Sequence, residues 1–153
     1  MLVLDKSIPD FELPSTGNQI FSLSAVTGKH TVIYFYPKDC TPGCTTEGQN
    51  FSDHYDEFAA HNCVIVGVSR DSVKSHENFK EKMKFPFELL SDVDETVCKL
   101  FNVMKMKNMY GKQVRGIERS TFVVDTEGVL RRAWRGVKVP GHVQEVLAFV
   151  KTL

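Results

Sequence analysis

The sequence predicts an α/β fold, a mixed central sheet with helices on both faces, and three observations carry that reading. Residues 31–36 (Thr-Val-Ile-Tyr-Phe-Tyr) and 63–69 (Cys-Val-Ile-Val-Gly-Val-Ser) are β-branched and aromatic runs with almost no polarity, the pattern of strands buried on both faces. Between them Phe51, Tyr55 and Phe58 recur at spacings of four and three, the period of a helix with one apolar side. Two such strands joined by a helical crossover are parallel neighbours with a right-handed connection.

The remaining elements follow in order. Beyond Arg70 the pattern predicts a polar helix over 72–83, a short strand over 87–90 and a helix over 94–101. Residues 117–124 and 129–134 are strand formers around the Gly-ended turn Asp-Thr-Glu-Gly at 125–128, which predicts an antiparallel hairpin. Val143, Val146, Leu147 and Val150 make one apolar stripe, so a helix from about Gly141 closes the chain. The order βαβ, then α and β, then ββα points to a thioredoxin-like layout. No repeat, low-complexity tract or linker interrupts it, so residues 1–153 read as one domain.

Composition narrows the function. With 42% hydrophobic and 25% charged residues the chain reads as an ordinary globular protein. Nineteen basic and nineteen acidic residues cancel to a net charge of zero, so no overall field draws it to nucleic acid or to anionic lipid. Arg131, Arg132, Arg135 and Lys138 form a local basic stretch, read as a solvated strand face. No signal-like segment opens the sequence and no apolar run reaches membrane-spanning length, so a cytoplasmic location is expected. Cysteines 40, 44, 63 and 98 do not make a secreted disulfide framework, which leaves packing or redox chemistry.

Cys44 stands where redox chemistry is favoured. Pro37 ends the strand, and Thr41 and Pro42 read as N-cap and first residue of a helix, which makes Cys44 its third residue. Free N–H groups and the positive end of the helix dipole favour an anion there, so a thiolate is the expected species. Phe51 lies seven residues on, nearly two turns, so Cys44 points to the side of the buried aromatics, at the strand end where open α/β sheets place their chemistry. A lone cysteine is more often a packing residue. The Thr-Pro-Gly-Cys turn between strand and helix reverses that reading.

Residues 34–47 (Tyr-Phe-Tyr-Pro-Lys-Asp-Cys-Thr-Pro-Gly-Cys-Thr-Thr-Glu), 66–71 (Val-Gly-Val-Ser-Arg-Asp) and 117–125 (Ile-Glu-Arg-Ser-Thr-Phe-Val-Val-Asp) carry a resemblance, with lesser matches at Ser91, Asp92 and 138–142. The sequence resembles the peroxiredoxins, specifically their bacterioferritin-comigratory or Q-type branch. That resemblance implies a thiol-dependent peroxidase of antioxidant defence, a monomer without metal or cofactor, which reduces hydrogen peroxide and organic hydroperoxides. The Pro-x-x-x-Thr-x-x-Cys pattern is met by Pro37, Thr41 and Cys44, and the distant arginine by Arg119. It implies Cys44 as nucleophile, Thr41 as hydroxyl partner of the peroxide, Arg119 as activating cation and Pro37 as shield. Read without the resemblance, Thr41 is a cap, Arg119 the partner of Glu118 or another acid, and Glu47 ordinary dipole complementarity.

A sulfenic acid on Cys44 would have to meet a second thiol. Q-type members often carry it five residues on or in the following helix; here Gln49 stands at the first place and no cysteine lies in 72–83. Cys63 and Cys98 read as packing residues. Cys40 is left as a possible resolving thiol, but it lies outside the helix, so a Cys40–Cys44 bridge needs the first turn to unwind. Two cycles stay open: that bridge reduced by a thioredoxin-like donor, or a one-cysteine cycle with an external thiol. A copper carrier using Cys40, Cys44 and His142 lacks metal-site spacing, and a disulfide reductase would carry Cys-x-x-Cys. Met104, Met106 and Met109 are expected to fill core, with lining of the site as the alternative.

Overall fold

The computed structural model describes residues 2–153. In chain order its elements are β1 (Glu12–Ser15), β2 (Gln19–Ser22), a 3-10 turn (Leu23–Val26), β3 (His30–Phe35), α1 (Pro42–Asp53), α2 (Tyr55–Ala60) and β4 (Cys63–Ser69). There follow α3 (Val73–Met83), β5 (Glu88–Ser91), α4 (Thr96–Leu100), β6 (Met104–Met109), β7 (Lys112–Ile117), β8 (Ser120–Val124), β9 (Leu130–Arg135) and α5 (His142–Val150). Seven strands form one sheet in the order β2-β1-β5-β4-β3-β8-β9, and β6 and β7 pair apart from it. β3, β4 and β5 are parallel, while β8 runs antiparallel to β3 with Phe35 opposite Ser120.

Alternation along the central strands builds two cores. Val32, Tyr34 and Tyr36 face a layer with Phe51, Phe58, Phe79, Phe85, Val143 and Val146, drawn from α1, α2, α3, α5 and the loop after α3. Ile33 and Phe35 face the other side, with Val97 and Phe101 of the α4 region and with Ile8, Phe11 and Leu13 of the N-terminal segment. The mixed sheet with helices on both faces therefore stands. Tyr34 stacks on Phe51 at 4.5 Å between ring centroids. Complete burial of a side chain such as Phe51 stabilises by roughly 1.5–3 kcal/mol.

Several elements differ from the sequence reading. The helix read through Phe58 is two, with the chain bending at His54. The helix read over 94–101 is shorter, because Glu95 adopts a left-handed conformation at φ 63° and the Asp92 carboxylate accepts from the N–H groups of Val97 and Cys98. The run 117–124 is not one strand: Ile117 ends β7, Ser120 opens β8, and Glu118 leaves the ladder to donate its N–H to the Val103 carbonyl at 2.7 Å. The hairpins β1–β2 and β6–β7 lie outside the elements read from the sequence. Met106 and Met109, expected in a core, are 60% and 49% exposed on β6, and only Met104 packs against buried residues.

The basic stretch is more engaged than a solvated face. Arg135 donates to the carbonyls of Phe101 and Asn102 and lies over the Phe122 ring, while Arg132 covers Trp134. Among the described residues no helix is long and apolar enough to cross a membrane.

Gly67, within β4, tests the packing between neighbouring strands, since it pairs with Tyr34 of β3 and Leu89 of β5. A Cβ there would lie 2.8 Å from the Tyr34 ring and 2.9 Å from Leu89. Gly67→Ala is expected to destabilise the fold by about 1–3 kcal/mol, as overpacked cores do, with an unchanged slope in urea denaturation.

Candidate active site

The site begins where β3 hands the chain to α1. Thr41 is extended (φ −80°, ψ 154°) and precedes Pro42 at the first helical position, so Cys44 is the third helical residue, as the sequence reading has it. Thr41 does not cap with its side chain: its hydroxyl donates to the Lys38 carbonyl at 2.8 Å, a bond that closes the loop on itself. Pro37 is half-buried, two residues beyond the end of β3. Cys44 is 2% exposed and packs in the aromatic layer with Tyr34 and Phe51.

Arg119 reaches this thiol from the break between β7 and β8. One guanidinium nitrogen donates to Glu47 Oε1 at 2.7 Å and another to Cys44 Sγ at 3.5 Å. The side chain of Arg119 is 16% exposed and that of Glu47 is fully buried. Burial works against the charge on Arg119, but Glu47 and Cys44 outweigh it, so the group stays a cation. Burial also pushes the Glu47 carboxyl up to about 7, against the charge and hydrogen bond of Arg119, and among the described residues Glu47 Oε2 has no hydrogen-bond partner. Of the acids open to Arg119 in the sequence reading, Glu118 or another, the partner is Glu47, and the pair is buried rather than at the surface. One turn after Cys44, Glu47 is no surface complement to the helix dipole; it fixes the guanidinium.

Gly43 gives the guanidinium its place. A Cβ on Gly43 would lie 3.0 Å from Arg119 Nη2, the nitrogen that faces Cys44. The bare backbone at 43 leaves room for this approach.

A second cluster, unread in the sequence, holds the loop. The buried Asp39 carboxylate accepts from the Tyr36 hydroxyl at 2.6 Å, the Ser75 hydroxyl at 2.8 Å and His76 Nδ1 at 2.7 Å. The Asp39 N–H donates to Asp71 Oδ2 at 2.9 Å. His76 Nε2 meets the Leu90 carbonyl at 2.9 Å, so both ring nitrogens are engaged. Burial raises the Asp39 carboxyl, but the hydrogen bond and charge of His76 with those of Tyr36 and Ser75 hold it below the usual range. Asp39, Asp71 and His76 place ligand-type atoms within 4.8 Å of one another. These hydrogen bonds already occupy the atoms that face one another.

The other cysteines divide as the sequence reading expects. Cys63 is buried, its thiol pushed up to about 12, and Cys98 is buried and likewise raised, by burial first and then by Asp92. Cys40 is exposed and holds a left-handed backbone at φ 63°, outside α1. His142, weighed as a soft-metal ligand, bonds Thr121 at 2.8 Å and packs edge-on to Trp134, with burial lowering it to about 4. That places it against β8 and β9 rather than in a cysteine cluster.

A thioredoxin-like sheet that delivers a helix-start cysteine to a fixed guanidinium is the frame of a thiol-dependent peroxidase, and that is the class of this enzyme. Peroxiredoxin Bcp of Xanthomonas campestris pv. campestris is 55% identical over 152 residues, covering 97% of this chain and 94% of that protein. Peroxiredoxin Bcp of Bacillus subtilis is 47% identical over 150 residues, with 98% and 96% covered. A structure of the bacterioferritin comigratory protein of Xanthomonas campestris, which addresses that protein's alkyl peroxide reduction activity, superposes with a TM-score of 0.88 at 54% identity, covering 93% and 90%. The AhpC/TSA family pattern matches residues 4–133, and the chain belongs to that family, in its Q-type peroxiredoxin branch.

Two substitutions probe the geometry. Because the folded-state pKa of Glu47 lies above the ordinary 4.5, the folded protein keeps a proton there that the unfolded chain has lost. Stability from this group is therefore full below about pH 4.5 and falls as pH rises to about 7. Glu47→Gln removes that slope, so the stability difference between pH 5 and pH 8 in urea melts shrinks. Gly43→Ala is expected to slow the reaction of Cys44 with peroxide by about tenfold or more, as displacement of a fixed reacting group does, with a melting midpoint close to wild type.

Proposed function

We propose that Cys44 is the peroxidatic nucleophile and Arg119 its activating cation, a reading carried by one observation: the guanidinium that Glu47 fixes donates its other nitrogen to Cys44 Sγ. The thiolate attacks the terminal oxygen of a hydroperoxide, the O–O bond breaks, and alkoxide or hydroxide leaves to take up a proton. Sulfur is oxidised by two electrons to a sulfenic acid. Negative charge moves along the S–O–O axis, and a preorganised guanidinium stabilises it better in the transition state than in the ground state. Thr41 supplies a hydroxyl to the peroxide once its bond to Lys38 opens, and Pro37 shields the loop side. Hydrogen peroxide and alkyl hydroperoxides are the substrates, the latter in line with the activity attributed to the Xanthomonas protein.

The regenerating thiol comes from outside, a thioredoxin-like donor or a small thiol. Cys63 and Cys98 are buried with raised thiols, and Cys40 faces solvent while Cys44 faces the core. An external thiol condenses with the sulfenic acid and releases water, and a second thiol frees Cys44. The chain acts as one domain and as a monomer in the cytoplasm, in keeping with its neutral charge and its cysteines spaced without a disulfide framework.

Peroxide consumption with dithiothreitol as reductant tests the assignment. Cys44→Ser is expected to abolish turnover, and Arg119→Met to slow sulfenic acid formation by about 100–1000-fold; substantial turnover in Cys44→Ser sinks the assignment. Non-reducing mass spectrometry after one equivalent of peroxide is expected to trap sulfenic acid on Cys44. A 40–44 peptide lighter by two protons would instead establish the internal bridge.

A further inference from the structure

A donor protein has to bring its thiol to oxidised Cys44, and the β6–β7 hairpin ends beside the segment that carries Arg119. In the β6–β7 pair Lys105 opposes Gly116, Lys107 opposes Val114 and Met109 opposes Lys112. Opposed residues of an antiparallel pair share a face, so these six lie together. The other face carries Met104 and Ile117, which pack into the core beneath Phe35 and Phe122. Residues 104–117 hold four cations and no acid, in a chain of zero net charge. Arg115 is occupied by Glu95, which also holds Arg70. Among the described residues Lys105 and Lys112 have no ion-pair partner.

Apolar groups stand among these charges. Met109 and Val114 are 49% and 42% exposed, and Tyr110 at the hairpin tip is 99% exposed. Lys107 marks the inner end. Its stem runs along Gly116, where no side chain bars the way, and its ammonium donates to the Ile117 carbonyl, two residues before Arg119. Burial lowers its pKa and the charge of Arg119 adds to this, with Cys44 opposing, so it lies within electrostatic reach of the reactive pair.

We propose that this face, Lys105, Lys107, Met109, Lys112 and Val114, docks the protein electron donor, and that the donor is a dithiol protein with acidic side chains and an apolar patch around its reactive thiol. The inference rests on the peroxidase reading of Cys44. Unpaired lysines steer an acidic partner, and the flexible methionine and valine take up its apolar rim. The donor thiolate attacks the Cys44 sulfenic sulfur, hydroxide leaves and is protonated to water, and the donor's second thiol displaces Cys44 as thiolate. The donor ends as a disulfide and supplies both electrons. A nucleic acid or an anionic membrane would also match the charge, but neither brings a thiol to the place where the face ends.

The test compares the full chain with its Lys105→Glu/Lys112→Glu double variant in steady-state peroxide turnover, using dithiothreitol and, separately, a purified thioredoxin of acidic pI. With thioredoxin, kcat/KM is expected to fall about tenfold or more in the double variant. The wild-type value should also drop steeply between roughly 20 and 300 mM NaCl, and the variant's should not. With dithiothreitol the two proteins should agree within about twofold, which also shows that the variant is folded. Equal losses with both reductants, or wild-type thioredoxin kinetics in the variant, would overturn the docking face. Salt-sensitive binding of wild type to duplex DNA or phosphatidylserine vesicles, lost in the variant while thioredoxin kinetics stay unchanged, would overturn it too. Absence of Cys44-dependent turnover with dithiothreitol in the wild type would instead fault the peroxidase reading.

Discussion

The ion pair of Arg119 with the fully buried Glu47 is the constraint on which the site depends. A guanidinium beside a mostly buried thiol would turn to water unless something inside the protein held it, and Glu47 is that group. Burial of the carboxylate is itself unfavourable, which its raised pKa records. The surroundings hold both partners in place: the Tyr34–Phe51 stack fixes the helix that carries Glu47, and bare Gly43 leaves room for the cation. The break at Glu118 and Arg119 frees the arginine from any strand ladder.

A different anchor holds the loop. Asp39 ties it to Tyr36 in the segment after β3 and to Ser75 and His76 in α3, and through its N–H to Asp71. One residue later Cys40 takes a left-handed backbone, which costs about 1–2 kcal/mol for a residue with a side chain and persists because Asp39 on one side and α1 on the other fix the chain. Charge is thus set by one pair and loop position by another. The two meet through the residues from Cys40 to Gly43 and through the stacked rings of Tyr36, Tyr34 and Phe51.

The sequence made the centre of this protein legible and left its periphery obscure, for physical reasons. β3 and β4 are buried on both faces, so nearly every residue is apolar and the pattern is unmistakable. β1 and β2 are four residues long with half their positions or more open to solvent, and β6 alternates Met with Lys in a way that suits neither a core nor a surface strand. Cys44 was legible because helix-start chemistry is local. Glu47, Asp39 and His76 were not: their roles come from contacts 72 and 37 residues away, and an acid in the first turns of a helix looks the same whether it faces water or a buried cation.

β3 also separates two kinds of constraint. Its even-numbered residues, Val32 and Tyr34, lie in the layer that holds Cys44, whereas Ile33 and Phe35 pack with the opposite layer and have no part in the hydrogen bonds of the site. That opposite layer reaches the chemistry from its own side, through Val103, whose carbonyl accepts from the Glu118 N–H, and through Ile117, two residues before Arg119. A change in one interior therefore acts on the sulfur by contact, and a change in the other acts on the guanidinium that faces it.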